Sequence, residues 1–297
     1  MRYLWSAVIM TAMHLTGFTG FAQSGSVLYK ISGNNLSQPS YIMGIVNFLP
    51  ADRFTVPHEV EEAIAASQVF VTKTAMNKKI QKKYNEAYRI PNNGWINDYL
   101  TDDELNQLRL LLLLDFEVKE NAYHDFYSRL QPIILVPTTS ALNLGDNIVY
   151  MEEQLSDIAR ENKLKLAGLG TPEEEIAAFK KFPIEDQVEA LKYTVNNFYD
   201  HIQDYNNMVD AYLNDQDLVY VKNETFKATN ESQRFKKFYY DARALGWLDK
   251  VENMIQDRAI FFALGAPFLV GEVSLIELLK MKGYDVEPVQ VSFNQPD

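Results

Sequence analysis

The feature that most limits what this chain can fold into is a strand–helix–strand rhythm that appears twice, once near each end of the sequence. At the front, Val27 to Ile31 (VLYKI) and Ser40 to Val46 (SYIMGIV) read as short strands, joined through the turn residues Gly33, Asn34 and Asn35. Pro57 then opens a helix with Val60, Ala63 and Ile64 at helical spacing, ending near Ser67, and Val69, Phe70 and Val71 follow as a buried strand. At the back the pattern returns as Ala259 to Gly265 (AIFFALG), a helix from Val273 to Lys282, and Asp285 to Val291. Strands linked through helices in this way build a parallel sheet, whose ligand sites collect beyond the carboxyl ends of the strands. The expectation is an α/β fold in which residues 23–297 form one domain, with helices inserted at about 77–256.

Within the insertion, Asp102, Asp103 and Glu104 charge the first turn of a helix that turns Leu105, Leu108, Leu111 and Leu112 inward. A second helix runs from Gln131 to Leu142, opened by Pro132, and a third carries Leu155, Ile158 and Ala159 ahead of the strand Leu164 to Gly168. From Ile184 the apolar residues Val188, Leu191, Val195, Phe198, Ile202, Tyr205, Val209 and Tyr212 recur at alternating spacings of three and four. That stripe predicts one long amphipathic helix, paired with the helical sequence around Phe226 and from Ser232 to Asn253 as an antiparallel hairpin on or over the sheet.

Composition narrows the function. Lys and Arg number 28 against 40 Asp and Glu, a net charge of -12, and no basic tract offsets it, so binding to nucleic acid is not expected. There is no cysteine, which excludes disulfides, thiolate metal sites and cysteine nucleophiles. Met1 to Gln23 has Arg2, an apolar run to about Leu15, and small residues Gly20 and Ala22 at cleavage spacing. It reads as a secretory signal peptide cut after Ala22, so that an exported protein, periplasmic or secreted and without a membrane or lipid anchor, is expected.

The segment from Val27 to Met76 resembles the start of the TraB/GumN family, to which the Tiki proteases belong. It carries Ser40-Tyr41-Ile42-Met43-Gly44-Ile45-Val46-Asn47, then Pro57-His58-Glu59-Val60-Glu61-Glu62-Ala63-Ile64-Ala65-Ala66-Ser67, then Val69-Phe70-Val71-Thr72-Lys73. The end resembles the family too, with Arg243 four residues before Trp247, Gly265-Ala266-Pro267-Phe268-Leu269-Val270-Gly271-Glu272, and Lys282 to Val289. The resemblance implies a TraB/GumN-like fold (erythromycin-esterase/ChaN-like), with two β–α units forming the central sheet. It also implies metal-dependent peptide hydrolysis, with a His from each of two Gly-x-x-His motifs and nearby acids gathered at the metal. The motif glycines fall at Gly44 and Gly265, but Asn47 stands at the first His and Phe268 at the second. Lys73 stands at a strand-end Glu, Ala75 at the Asp after it, Ala244 at the Asn after the Arg, and Gly170 at a further Glu. Arg243 and, by a looser alignment, Glu152 remain of the polar positions.

A hydrolytic divalent ion needs about three ligands with lone pairs. Phenylalanine has none, and an ammonium 4 Å from a divalent ion is repelled by roughly 8 kcal/mol at an effective dielectric of 20. The residues therefore favour a non-catalytic homologue without a metal cofactor, in which Lys73 takes over the charge of the ion and Glu152 or another carboxylate pairs with it or with Arg243. Lys73 and Arg243 would then offer cations at a strand-end crevice to an anionic group on a peptide or glycan. One alternative is an active hydrolase whose ligands for manganese, cobalt or zinc have moved elsewhere. The mature chain offers only His58, His124 and His201 for this, none with a second His at ligand spacing, and Asp200, His201 and Asp204 read as a solvated helix face. Ser140 and Thr139 carry no nucleophile signature. The other alternative is an envelope scaffold whose helices dock a partner.

Overall fold

The computed structural model describes residues 25–227 and 235–293; Met1 to Gln23, read above as a signal peptide, lies outside the described residues. Eight strands form: β1 (Leu28–Gly33), β2 (Ser40–Ile45), β3 (Phe48–Leu49), β4 (Val69–Thr72), β5 (Val149–Tyr150), β6 (Lys165–Gly168), β7 (Ile260–Gly265) and β8 (Tyr284–Val289). Six of them make one sheet in the order β6-β4-β7-β2-β1-β8. β6, β4, β7 and β2 run parallel; β1 opposes β2 and β8 opposes β1, so only β1 runs against the rest. The two end units share this sheet. β7 slots between β2 and β4, and its Ile260 to Leu264 are all at most 1% exposed, the unbroken apolar run of a strand covered on both faces.

The helices are α1 (His58–Ala65), α2 (Lys78–Ala87), α3 (Asp102–Leu110), α4 (Glu120–Asp125), α5 (Pro132–Leu144), α6 (Met151–Glu161), α7 (Pro172–Phe179), α8 (Ile184–Asn196), α9 (Phe198–Asp210), α10 (Leu218–Thr225), α11 (Ala242–Ile255) and α12 (Leu275–Met281). π-helical turns extend α3 to Asp115 and α9 to Asp215, and another, Lys236–Asp241, leads into α11. Among the described residues no helix is long and apolar enough to cross a membrane.

The long helix expected from Ile184 to Tyr212 is two helices. Asn197, at φ -127° and ψ 42°, leaves the helical region between them, and both its backbone amide and its side-chain amide donate to the Tyr193 carbonyl at the end of the first. The apolar stripe is accordingly divided between two cores. Leu191, with Val195 packed alongside, joins Leu108, Leu112, Tyr123 and Leu135 in a helical core away from the sheet, whereas Val209, Tyr212 and Leu213 join the sheet core. α8 packs on α5 and α3, while α9 packs on α10. A periodic stripe records which faces are buried and is blind to a single break in the axis.

The second half of that stripe sets what covers the site end of the sheet. The Tyr212 hydroxyl donates to the Gly44 carbonyl at 2.7 Å, and a Cβ on Gly44 would lie 2.7 Å from Leu218 Cδ1. The end of β2 is thus plugged by α9 and α10, and glycine is needed there for the close approach. Tyr212→Phe should cost about 1 to 2 kcal/mol by chemical denaturation, since it leaves a buried carbonyl short of a donor; an unchanged midpoint would remove this bond from the account.

Candidate functional site

Beyond the carboxyl end of β4 the chain turns so that the Thr72 hydroxyl donates to the Thr74 carbonyl, and the Gly170 amide, just past β6, donates to the Lys73 carbonyl at 2.8 Å. Lys73 is thereby aimed over the sheet end, with about a third of its side chain in solvent. Its partner is Glu175, from α7. The sequence Thr171-Pro172-Glu173-Glu174-Glu175 starts that helix with three carboxylates and gives each a different place. Glu174 caps the helix by accepting from the Thr171 amide, and Glu173 pairs with Lys83 of α2. Glu175 falls on the same buried stripe as Ala178 and Phe179, and its side chain is 1% exposed.

A carboxylate that deep requires donors on every lone pair. Glu175 Oε1 accepts from Lys73 Nζ at 2.8 Å and from the Tyr239 hydroxyl at 2.8 Å. Its Oε2 accepts from the Tyr84 hydroxyl at 2.5 Å and from the Thr74 hydroxyl at 3.1 Å, with Arg243 Nη2 at 3.8 Å. Burial alone would push the carboxyl up, but Lys73 and Arg243, helped by the bonds from Lys73 and Tyr84, bring it down to about 2. Burial likewise opposes the charge on Lys73, but Tyr239, Glu175, Tyr88 and Glu152 around it outweigh that and hold its pKa well above the ordinary lysine value. Burial pushes the Tyr84 and Tyr239 phenols far up, so both stay protonated donors.

Arg243 reaches this group from α11, in a helix whose preceding π-helical turn brings Tyr239 to the same carboxylate. Its side chain is 9% exposed, and neither terminal nitrogen makes a hydrogen bond to a described residue. Instead the guanidinium lies 4.7 Å from the Tyr239 ring centre, 4.6 Å from Trp247 and 5.5 Å from Phe268. Phe268, at the position where the resemblance implies a second His, is buried against Trp247 and Tyr240 and serves as one wall of that aromatic cage.

The structure therefore gathers Lys73, Arg243 and Phe268 at one end of the sheet, with Glu152 of α6 close enough to feel Lys73 and Glu175. Burial pushes the Glu152 carboxyl up, with Lys73 acting against this and Glu175 with it. Glu152 is not the partner of Lys73; that place belongs to Glu175, which the sequence reading missed. Its signal was present, since Glu175, Ala178 and Phe179 follow an inward i, i+3, i+4 pattern. Gly44 is packed tightly as described, while Gly265 has ordinary room, a Cβ there meeting Phe268 at 3.8 Å. Asn47 is exposed past the end of β2, two strands from β4.

As a metal cradle this donor set does not fit. The one deeply buried carboxylate has both oxygens engaged, and the nearest side chains to it are an ammonium, a guanidinium and three hydroxyls. Among the described residues no three His, Asp or Glu side chains are grouped to hold an ion. The helix face of Asp200, His201 and Asp204 also differs from expectation. His201 is largely buried and its Nε2 lies 2.8 Å from the Ser140 hydroxyl of α5, while Asp204 pairs with Lys227. Burial lowers the His201 pKa, against Asp204. Ser140 sits inside a helix and is 3% exposed, so no free backbone amide stands ready for an oxyanion beside it, and the pair ties α5 to α9.

The order of these features, with a Gly strand end in β2, a strand-end polar residue after β4, an Arg ahead of Trp247 and a glycine-led loop after β7, can be compared with known families. The sequence profile of the TraB/PrgY/gumN family matches residues 27–288. The chain belongs to the TraB/PrgY/gumN family. No curated protein and no solved structure matches it. The match extends over all eight described strands, except for the last residue of β8, so Lys73, Glu175 and Arg243 all lie within it.

Titration checks the network. Glu175 takes up its proton near pH 2 when folded but near the ordinary value of 4.5 when unfolded, so between these values the unfolded chain binds more protons. The stabilisation is complete above pH 4.5 and should be lost as pH falls towards 2, by about 3 kcal/mol. Glu175→Gln should abolish that acid limb and, by leaving two cations unpaired, cost about 3 to 5 kcal/mol at pH 7 in urea denaturation. A variant as stable as the parent, with the same acid limb, would contradict the assignment.

Proposed function

We propose that this TraB/PrgY/gumN-family protein is an exported, non-catalytic member, in which an internal ion-pair network occupies the place where the family's chemistry is expected. The observation that carries the reading is the Lys73 to Glu175 contact of 2.8 Å, closed on the other side by Arg243. A divalent ion entering here would meet two fixed positive charges and would have to displace them from the carboxylate. The hydrolysis step needs a polarised water, an open coordination position and a base, and within the network itself the Glu175 carboxylate, held near pKa 2, and the two protonated phenols are poorly suited to take a proton from water.

What such a protein would keep is a recognition surface. Lys73 retains a third of its side chain in solvent at the sheet end, with Glu152 beside it, and an anionic group on a peptide or glycan is the ligand class that suits an ammonium so placed. The Glu175 network then acts as the rigid base on which that cation stands.

Metal analysis of the full chain purified without chelators tests the reading. Substoichiometric manganese, cobalt and zinc, a melting temperature unmoved by adding any of them, and no cleavage of a peptide library are expected. One tightly held ion per chain, or peptide cleavage that chelation stops, would overturn it.

A further inference from the structure

A second feature of the fold has no part in that network. Alongside the edge strand β6, α11 stands off the sheet and leaves a groove of about 430 Å³ that runs from the amino-terminal residues of β4, β6 and β7 toward the carboxyl end of β6. Ala167 and Met254 give it a partly exposed apolar floor over the buried Val69 and Ile260, and Lys165, Lys250, Arg258 and Asp249 give it charge. Three cations against one carboxylate leave the groove positive, in a chain whose net charge is -12. The cations are not neutralised. Lys250 donates to the carbonyls of Gly168 at 3.1 Å and Leu169 at 2.7 Å, which fixes its ammonium without cancelling its charge. Lys165 and Arg258 make no ion pair with a described residue within 4.0 Å.

Gly246 adds an independent observation. It lies inside α11, faces the groove, and a Cβ placed on it would meet no atom within 4 Å. A helix-interior glycine costs about 1 kcal/mol relative to alanine. Neither a positive φ nor a close neighbour calls for glycine here, and its effect is to keep the groove open along the stripe that continues through Asp249, Lys250 and Asn253. By contrast, the stripe carrying Arg243, Trp247 and Val251 is packed into the core. One face of α11 thus closes the ion-pair site and the other leaves space.

We propose that this groove binds an amphipathic monoanion, a small molecule with a hydrocarbon body and a carboxylate head. The body covers Ala167 and Met254, and the head is drawn to Lys165, Lys250 and Arg258. Three cations against one carboxylate leave a net charge of +2, which attracts a carboxylate head.

Calorimetry on the full chain with decanoate below its micelle concentration tests this, with decanol and inorganic phosphate as the uncharged and the body-less comparisons. Decanoate should bind at one site, at least about tenfold more tightly than either, and Lys165→Gln with Arg258→Gln should weaken it by about tenfold. Gly246→Leu should fill the groove and abolish binding while the melting temperature is kept or raised. Arg89→Gln with Arg129→Gln, at a separate small cavity by Trp95, should change nothing. Absence of decanoate binding, equal binding of decanol or phosphate, binding that survives Gly246→Leu, or loss of binding in the Arg89 and Arg129 variant would each overturn the proposal.

Discussion

Glu175 is ionised and almost wholly removed from water, and a charge in that position imposes conditions on everything near it. An unsolvated carboxylate would cost several kcal/mol, so the chain must deliver donors from separate elements to one point. β4 supplies Lys73 and Thr74 from its end, α2 supplies Tyr84, and the π-helical turn before α11 supplies Tyr239, with Arg243 following from α11 itself. Strand, insertion and carboxyl-terminal helix are therefore pinned to one another by a polar contact at the rim of an otherwise apolar core. The hydrophobic sheet holds the domain together, and the carboxylate fixes how α2, α7 and α11 sit on its end.

The same constraint accounts for the departures from the family pattern as a set. An ammonium after β4 needs a compensating anion, and α7 provides it in Glu175, five residues beyond Gly170. Phe268 joins Tyr239 and Trp247 around the guanidinium of Arg243, whose nitrogens make no hydrogen bonds to described residues. Each change taken alone would leave a buried charge exposed to an apolar wall. Together they give a closed network, which is the physical content of calling the site exchanged and not merely eroded.

Much of the fold was legible in the sequence, because the end units carry strong local signals. AIFFALG cannot be anything but a strand covered on both faces once helices flank it, and Pro57 and Ser40 mark their boundaries plainly. The break at Asn197 was not legible, because apolar spacing continues through it while the backbone does not. The convergence of Lys73, Arg243 and Phe268 followed from motif order, but their shared partner did not. Glu173, Glu174 and Glu175 all fall in the first turn of one helix, and only tertiary packing separates the capping, the surface-paired and the buried one. The Ser140 to His201 contact was hidden for a similar reason, since it joins helices 61 residues apart in sequence.

The central claim is that Lys73 and Glu175 act as one unit, and a double-mutant cycle measures that directly. Lys73→Met and Glu175→Leu, singly and together, would be compared with the parent by urea denaturation at neutral pH. The account predicts a coupling energy of at least about 2 kcal/mol, with the double variant more stable than the sum of the single losses allows. Losses that simply add would mean that the two charges are independent neighbours, and the exchanged-centre account would fail.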